Sequence, residues 1–128
     1  MNKYSLHNSL NKNENIIKLL KNNANPNQFN KNMDTPLHIA INNNLLQNIK
    51  LLLEYGANPN IRDRNGQTPL QKAVEKENFN QIELLLEYEA DPYVQNIQGL
   101  IPLEVLCYKR KPNLVVKYLK LVQQYSSY

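Results

Sequence analysis

At 128 residues the chain has material for one domain, and its 41% hydrophobic and 20% charged content is ordinary for a globular protein. The formal net charge of +4 is segregated: residues 1–50 carry six Lys against two acidic residues, 51–100 four basic against eight acidic, and 101–128 five basic against one. This acidic middle interrupts the positive track that phosphate binding needs, so nucleic-acid binding is left as an alternative through the two basic ends.

Residue usage excludes several classes of site. Cys107 is the only cysteine, so no intrachain disulfide forms, and His7 and His38 lack the spacing of metal ligands. No glycine-rich phosphate loop and no carboxylate pair with a matching base is present. The N-terminus lacks an apolar signal segment, and the apolar runs fall far short of the about 18 residues of a membrane span. We therefore expect a cytoplasmic or nuclear protein without catalytic residues, cofactor, metal, small-molecule substrate or membrane contact.

Two strings return along the sequence with one period. Thr-Pro-Leu-His at 35–38 returns as Thr-Pro-Leu-Gln at 68–71 and as Ile-Pro-Leu-Glu at 101–104, an offset of 33 residues (68 minus 35, 101 minus 68). Leu-Leu-Leu-Glu-Tyr-Gly-Ala-Asn-Pro-Asn at 51–60 returns at 84–93 with the same offset. Two unrelated strings with one period and one phase indicate stacked copies of a single supersecondary unit.

Helix signals predict two helices in each copy after the first. Pro36, Pro69 and Pro102 mark the starts of the first helices, because proline is tolerated in the first helical turn. The predicted second helices are 16–21 in a weak first copy, then 46–55, 80–88 and 112–122. Their apolar residues at helical spacing predict the core: Ile49, Leu52, Leu53, Ile82, Leu85, Leu86, Val115, Tyr118 and Leu119.

Turn residues mark the connections between copies. Gly56 stands where a second helix ends in a left-handed residue, and Glu89 at the same place in the next copy predicts either strain or an altered geometry. Gly66 and Gly99 suit a tight turn farther on, whereas Met33 at their position predicts a connection that is opened or differently turned. The long connections are 25–34, 58–67 and 91–100.

The register of the first copy has two alternatives. A gapless frame places Tyr4 at the leucine of the Thr-Pro-Leu-His string. Pairing Leu6 and His7 with the Leu-His of the second copy requires a two-residue deletion before Ile16. The two frames bury different side chains in the first repeat.

In both strings and in their spacing the chain resembles the ankyrin-repeat family, over nearly its full length. The resemblance implies an all-α repeat solenoid, an ankyrin-like stack of about four helix-turn-helix units with β-hairpin fingers. It predicts one domain over 1–128, with an N-terminal capping repeat at 1–24, repeats at 25–57 and 58–90, and a C-terminal capping repeat at 91–128.

The resemblance also implies a function, because ankyrin-like proteins grip another folded protein with a concave surface of finger tips and first helices. A non-enzymatic protein–protein interaction module is therefore expected. Ile97 and Leu100 are interpreted either as partner contacts or as local core beneath the last finger. By the 33-residue register the partner-binding residues are Phe29, Lys31, Asn32, Asp34, Arg62, Arg64, Asn65, Gln67, Gln95, Ile97, Gln98, Leu100 and Tyr108.

Two residues with reactive side chains have structural interpretations. His38 shares its slot with Gln71 and Glu104, and three different residues cannot carry one catalytic proton transfer, so a structural hydrogen bond is expected. Cys107 aligns with the apolar residues at 41 and 74 and is predicted to be a small core residue.

Asn27 and Asn60 occupy a finger position that the resemblance singles out. In ankyrin-like proteins of animal cells an oxygen-sensing dioxygenase hydroxylates this asparagine, which makes the two residues candidate hydroxylation sites. The ordinary role of this asparagine is to tie the turn, and Tyr93 replaces it in the last repeat.

The partner is expected to be another protein. The 22 Asn residues suggest an AT-rich genome, such as that of a large DNA virus or an intracellular bacterium, and then the partner is a host protein in the host cytosol. The chain is expected to be a monomer or to self-associate weakly. The alternative function is that of an assembly or self-association subunit, through an apolar terminal face of Leu114, Val116, Leu121 and Val122.

Overall fold

The computed structural model describes residues 5–10 and 13–125 of the chain. Within these ranges there are eight helices and no strand. None of the eight combines the length and the apolar content that crossing a membrane requires. The helices are α1 (Ser5–Asn8), α2 (Asn13–Lys21), α3 (Pro36–Asn42), α4 (Leu46–Glu54), α5 (Pro69–Glu75), α6 (Phe79–Glu87), α7 (Pro102–Tyr108) and α8 (Pro112–Tyr125).

The helices stack in two layers. In one layer α1, α3, α5 and α7 each contact the next, and in the other α2, α4, α6 and α8 do the same. Contacts of α1 with α2, α3 with α4, α5 with α6 and α7 with α8 join the layers into four units. The predicted all-α stack of helix-turn-helix units is therefore confirmed.

The first repeat follows the frame with the two-residue deletion. Leu6 and His7 are buried, and His7 Nε2 lies 3.2 Å from the carbonyl oxygen of Asp34. His38 Nε2 lies at the same distance, 3.2 Å, from the carbonyl oxygen of Gln67 in the next repeat. Leu6 and His7 therefore occupy the Leu-His slot, whereas the residue that the gapless frame placed there, at position 4, lies outside the described residues.

His38 ties the start of α3 to the following repeat. Its Nδ1 lies 2.8 Å from Thr35 Oγ1, and its backbone N–H donates to the same oxygen at 3.3 Å. Because Nε2 faces the carbonyl oxygen of Gln67, the network assigns the ring proton to Nε2, and Nδ1 accepts the hydroxyl proton of Thr35. The predicted structural role of His38 is confirmed.

Gln71 and Glu104 fill the same slot with different chemistry. Gln71 Oε1 accepts the backbone N–H of Thr68 at 2.9 Å, and its Nε2 donates to the carbonyl oxygen of Val94 at 2.8 Å. Glu104 Oε1 accepts only at the helix start, from the N–H of Ile101 at 3.2 Å. A neutral glutamine thus also bonds at its own helix start and to the next repeat, there through Val94 instead of the equivalent of Gln67, without a group that titrates near neutral pH.

Replacing His38 with Gln is expected to weaken the pH dependence of stability on the acid side. Burial lowers the pKa of His38 below the 6.5 of a free histidine, because the imidazolium would lose its water. Protonation therefore favours the unfolded chain, and stability that is complete above about pH 6.5 is lost as the pH falls. Burial also lowers the pKa of His7, which contributes in the same direction.

Urea unfolding of the wild type, His38→Gln and the His7→Gln/His38→Gln double variant between about pH 7.5 and pH 5 tests this expectation. The loss of unfolding free energy over that range should be largest in the wild type and smallest in the double variant. An equal loss in all three proteins would show that the buried histidines do not set the acid-side stability.

Left-handed backbone recurs at the end of each second helix. Asn23, Gly56 and Glu89 have φ values of 64°, 92° and 68°. A residue with a Cβ pays about 1–2 kcal/mol for this conformation, so the predicted strain at Glu89 is confirmed.

The predicted opening of the first finger at Met33 is wrong. Met33 has a φ of 61°, close to the 72° of Gly66, and its N–H donates to the carbonyl oxygen of Asn30 at 3.1 Å. Gly66 makes the same bond to the carbonyl oxygen of Asp63 at 2.9 Å. The surrounding turn therefore imposes the left-handed conformation on methionine instead of opening.

The fingers, residues 30–34, 63–67 and 96–100, are tight turns without paired strands. In the last finger two backbone bonds close the turn, from the N–H of Asn96 to the carbonyl oxygen of Leu100 at 2.9 Å and from the N–H of Gly99 to the carbonyl oxygen of Asn96 at 3.0 Å. Asn96 Oδ1 accepts the N–H groups of Gln98 and Leu100, both at 3.0 Å. These side-chain bonds satisfy donors that a second strand would otherwise pair, so the β-hairpin form of the prediction is corrected for the described fingers.

The core follows the predicted stripes until the last repeat. Leu52 and Leu85 are fully buried, as is their counterpart Tyr118 in α8. Leu119 and Cys107, both predicted as core, are exposed instead. Their counterparts in the inner repeats are covered by the following repeat, and no described residue covers α7 and α8 from that side.

Candidate binding surface

The side of the stack that carries the fingers (30–34, 63–67 and 96–100) and the first helices α3, α5 and α7 is here termed the finger surface. In the third repeat Gln67, at the end of a finger, donates from Nε2 to Glu75 Oε1 on α5 at 2.8 Å. Leu100 and Tyr108 occupy the same two positions in the last repeat (100 minus 67 and 108 minus 75 are both 33). Because the repeats share one geometry, positions 100 and 108 stand in the same relation along the last finger and α7.

Ile97 and Tyr108 are the most exposed large apolar side chains in the described part of the chain. Each is 75% exposed, against 53% for Tyr93, which ranks next. This exposure rules out the interpretation of Ile97 as local core. Its position is compatible with the other interpretation, a contact with a partner. Leu100 is half-buried between finger and helix.

Ile97 reaches across to the neighbouring finger. A Cβ added to Gly66 would lie 2.7 Å from Ile97 Cγ2, closer than two carbon atoms can approach. A side chain at position 66 would displace Ile97, and the φ of 72° also favours glycine there, although Met33 adopts a similar φ in the first finger. Ile97 rests on the finger of the third repeat and leaves its outer side to solvent.

The predicted cations differ in how far they are engaged within the protein. Arg62 Nη1 donates to the carbonyl oxygens of Gly66 and Gln95, both at 2.8 Å, and so joins two adjacent fingers. Arg64 and Lys31 are exposed and make no side-chain hydrogen bond or ion pair with any described residue. Arg64 and Lys31 are therefore the cations that an acidic group of a partner can reach.

The other predicted binding residues divide by depth. The exposed residues are Asn32, Asn65, Gln95 and Gln98, and the half-buried residues are Phe29, Asp34 and Gln67.

An ion pair that the sequence pattern did not reveal supports the finger surface from below. Lys72 Nζ lies 2.9 Å from Asp63 Oδ2, and the two side chains are 12% and 1% exposed. Burial opposes ionisation of Asp63, but Lys72 and the N–H groups of Gln67 and Asn65 hold its pKa below the usual value. The only feature of the sequence that points to this ion pair is the aspartate itself, because the equivalent residues at 30 and 96 are asparagines.

Two lysines at the ends of first helices join successive repeats. Lys76 Nζ donates to the carbonyl oxygen of Ile41 and to Asn44 Oδ1 in the preceding repeat. Lys109 Nζ donates to the carbonyl oxygen of Glu75 at 2.8 Å. Both ammonium groups are engaged within the stack, and burial lowers the pKa of Lys76.

Asn27 and Asn60 each tie one repeat to the next. Asn27 Oδ1 accepts the N–H of Asn58 at 2.7 Å, and its Nδ2 donates to the carbonyl oxygen of Gly56 at 3.4 Å. Asn60 makes the equivalent bonds one repeat later, at 2.8 and 3.4 Å. The turn-tying role is confirmed, and hydroxylation of the two residues stays a prediction.

The predicted apolar terminal face differs in composition from the observed one. Leu121 and Val122 pack against the core, and Leu114 is half-buried. Val116 is exposed, and Leu119 is exposed beside it in α8. The face therefore exists with Val116 and Leu119 as its exposed residues.

Side chains with catalytic or metal-binding chemistry are scattered over the described ranges. No group of three or more His, Cys, Asp or Glu side chains there could hold a metal ion. His7 and His38 face backbone carbonyl oxygens.

Comparisons with known proteins agree with this architecture. A family model described as ankyrin repeats, in three copies, matches residues 6–96. Among solved structures, the ankyrin repeat domain of Bcl-3, a unique member of the IkappaB protein family, is similar with a TM-score of 0.79 and 28% sequence identity. The match covers 90% of this chain and 50% of that chain, so this chain spans half the length of that relative. Comparison with curated protein sequences gives no significant match.

Proposed function

Given that the chain belongs to the ankyrin-repeat family, we propose that it is a non-enzymatic module that grips a folded protein partner with its finger surface. Ankyrin repeats are protein–protein interaction modules. The partner is another protein of the cytosol or nucleus, and a host protein if the chain comes from a virus or an intracellular bacterium.

The observation that carries this proposal is the exposure of Ile97 and Tyr108. Leaving two large apolar side chains in water costs free energy that a partner recovers by covering them. Both stand at positions that the repeat register assigns to the finger surface. Aromatic side chains and arginine are also enriched among the residues that dominate interface energies.

The chemistry of the surface indicates the kind of site it recognises. Ile97 and Tyr108 supply an apolar centre, and Arg64 and Lys31 supply cations without internal partners. A complementary partner presents an apolar group near its centre and carboxylates around it. Such charges mainly raise the association rate and select among partners.

The test is quantitative capture from a cytosolic lysate with wild type and an Ile97→Asp/Tyr108→Asp variant as baits. Capture of the true partner should fall at least about tenfold, because central interface residues contribute about 2 kcal/mol or more. Circular dichroism and urea unfolding first establish that the variant is folded.

The matched control is Leu46→Asp/Tyr55→Asp. These two side chains are also large and exposed, 41% and 39%, but belong to the second-helix layer at α4 and its end. The control should capture the partner as the wild type does. If all three baits capture the same proteins equally, the finger surface is not the binding site.

A further inference from the structure

The last described repeat has a second surface, on the side of α7 and α8 that no described residue covers. Val74 in α5 is fully buried and Leu86 in α6 is 2% exposed, because α7 and α8 pack over them. Their counterparts 33 residues later are Cys107, which is exposed, and Leu119, which is 45% exposed (107 minus 74, 119 minus 86). The last repeat thus keeps apolar residues at positions that the inner repeats bury under the next pair of helices.

This surface is more apolar than the repeat register requires. Val116, 51% exposed, stands where the earlier repeats have the charged residues Lys50 and Glu83. A depression of about 410 Å³ opens beside it. Its lining consists of Cys107, Arg110, Lys111, Pro112, Val115 and Val116.

The charge around the depression is of one sign. Residues 105–125 contain five Lys or Arg and no Asp or Glu. Lys109 and Lys111 share Glu77 of the preceding repeat, at 3.6 and 2.9 Å. Arg110 and Lys120 make no side-chain hydrogen bond or ion pair with described residues. Net positive charge therefore remains beside the apolar patch.

We propose that this end face docks an amphipathic helix of a partner protein whose polar side is acidic. The end face is formed by Cys107, Arg110, Lys111, Val115, Val116 and Leu119.

A helix fits because helices α7 and α8 cover the equivalent positions of the third repeat. Acidic side chains fit because they compensate Arg110 and Lys111 at the edge of the apolar contact. A second copy of this chain is disfavoured as the occupant, because it would not bring the acidic side chains that compensate the positive charge. Its own end face is equally basic, and the sequence of residues 1–50 is also net basic, with six Lys against two acidic residues.

The only cysteine of the chain makes the proposal testable at the site itself. Cys107 is exposed within the end face, so its reaction rate with a maleimide reports whether the face is covered. The probes are two synthetic peptides of about 18 residues, or five helical turns, with one leucine stripe. One peptide has Glu and the other Lys at the polar positions. The Glu peptide should slow the modification of Cys107 at least about tenfold, and the Lys peptide should not.

Two variants place the contact. Val116→Glu/Leu119→Glu should abolish the protection of Cys107 by the Glu peptide. Ile97→Asp, on the finger surface, should leave that protection unchanged, so failure of this proposal is distinguishable from failure of the proposed function.

Four results would overturn the proposal. They are equal protection by both peptides, protection that survives Val116→Glu/Leu119→Glu, protection by duplex DNA instead of peptide, and a concentration-dependent dimer in which Cys107 is already protected. The last would identify a second copy of the chain as the occupant.

Discussion

Replacing Leu85 with Ala is expected to lower the free energy of unfolding by about 2–5 kcal/mol. Leu85 is fully buried in α6, and α6 contacts α4, α5 and α8, so the surrounding helices cannot all close on the space left by the lost methyl groups. A loss of this size is a large part of the about 5–15 kcal/mol that stabilises a typical domain. Urea unfolding followed by circular dichroism measures it.

Leu46→Ala is the matched control for Leu85→Ala. Leu46 begins α4 and is 41% exposed, so the same chemical change should cost less than about 1 kcal/mol there. Leu52→Ala, fully buried in α4, should behave like Leu85→Ala. A loss below about 1 kcal/mol at either buried leucine would contradict the register assigned to the second helices.

The repeat period made most of the fold predictable, for a physical reason. Every unit packs against its neighbours in the same way. A proline therefore marks a helix start, and a leucine on an inner face is buried, in each repeat in turn. The predicted burial of Leu119 and Cys107 was wrong, because an apolar residue at a repeat position is buried only where another unit covers it. The prediction at Met33 was wrong because the hydrogen bonds of the surrounding turn hold the residue in a left-handed conformation that methionine disfavours.

The candidate site was less predictable than the fold. The register placed Ile97 and Tyr108, but their 75% exposure depends on the surrounding packing and not on their spacing. Arg62 and Arg64 look alike in sequence, yet only the position of nearby carbonyl oxygens decides that Arg62 joins two fingers. Side-chain partners are long-range information that a single sequence does not contain.

Replacing Asp63 with Ala is expected to cost about 3–5 kcal/mol, because the change leaves the largely buried Lys72 without a counter-charge, with only the neutral Asn42 Oδ1 at 3.2 Å as acceptor. Asp63 Oδ1 also accepts the N–H groups of Asn65 and Gln67, at 2.9 and 3.0 Å, and these donors lose their acceptor as well. The finger at 63–67 should therefore detach from α5. Urea unfolding at neutral pH measures the loss.

Asp63→Asn separates the turn from the charge. Asparagines at 30 and 96 accept the equivalent N–H groups, so Asn at 63 should keep the turn and lose only the charge, at about 1–3 kcal/mol. The pKa of Asp63 is lowered in the fold, so its contribution is present above the usual 3.8 and is lost as the pH falls through the folded value. Asp63→Asn should therefore reduce the acid-side loss of stability as well. If Asp63→Ala costs less than about 1 kcal/mol, the ion pair does not hold the finger in place.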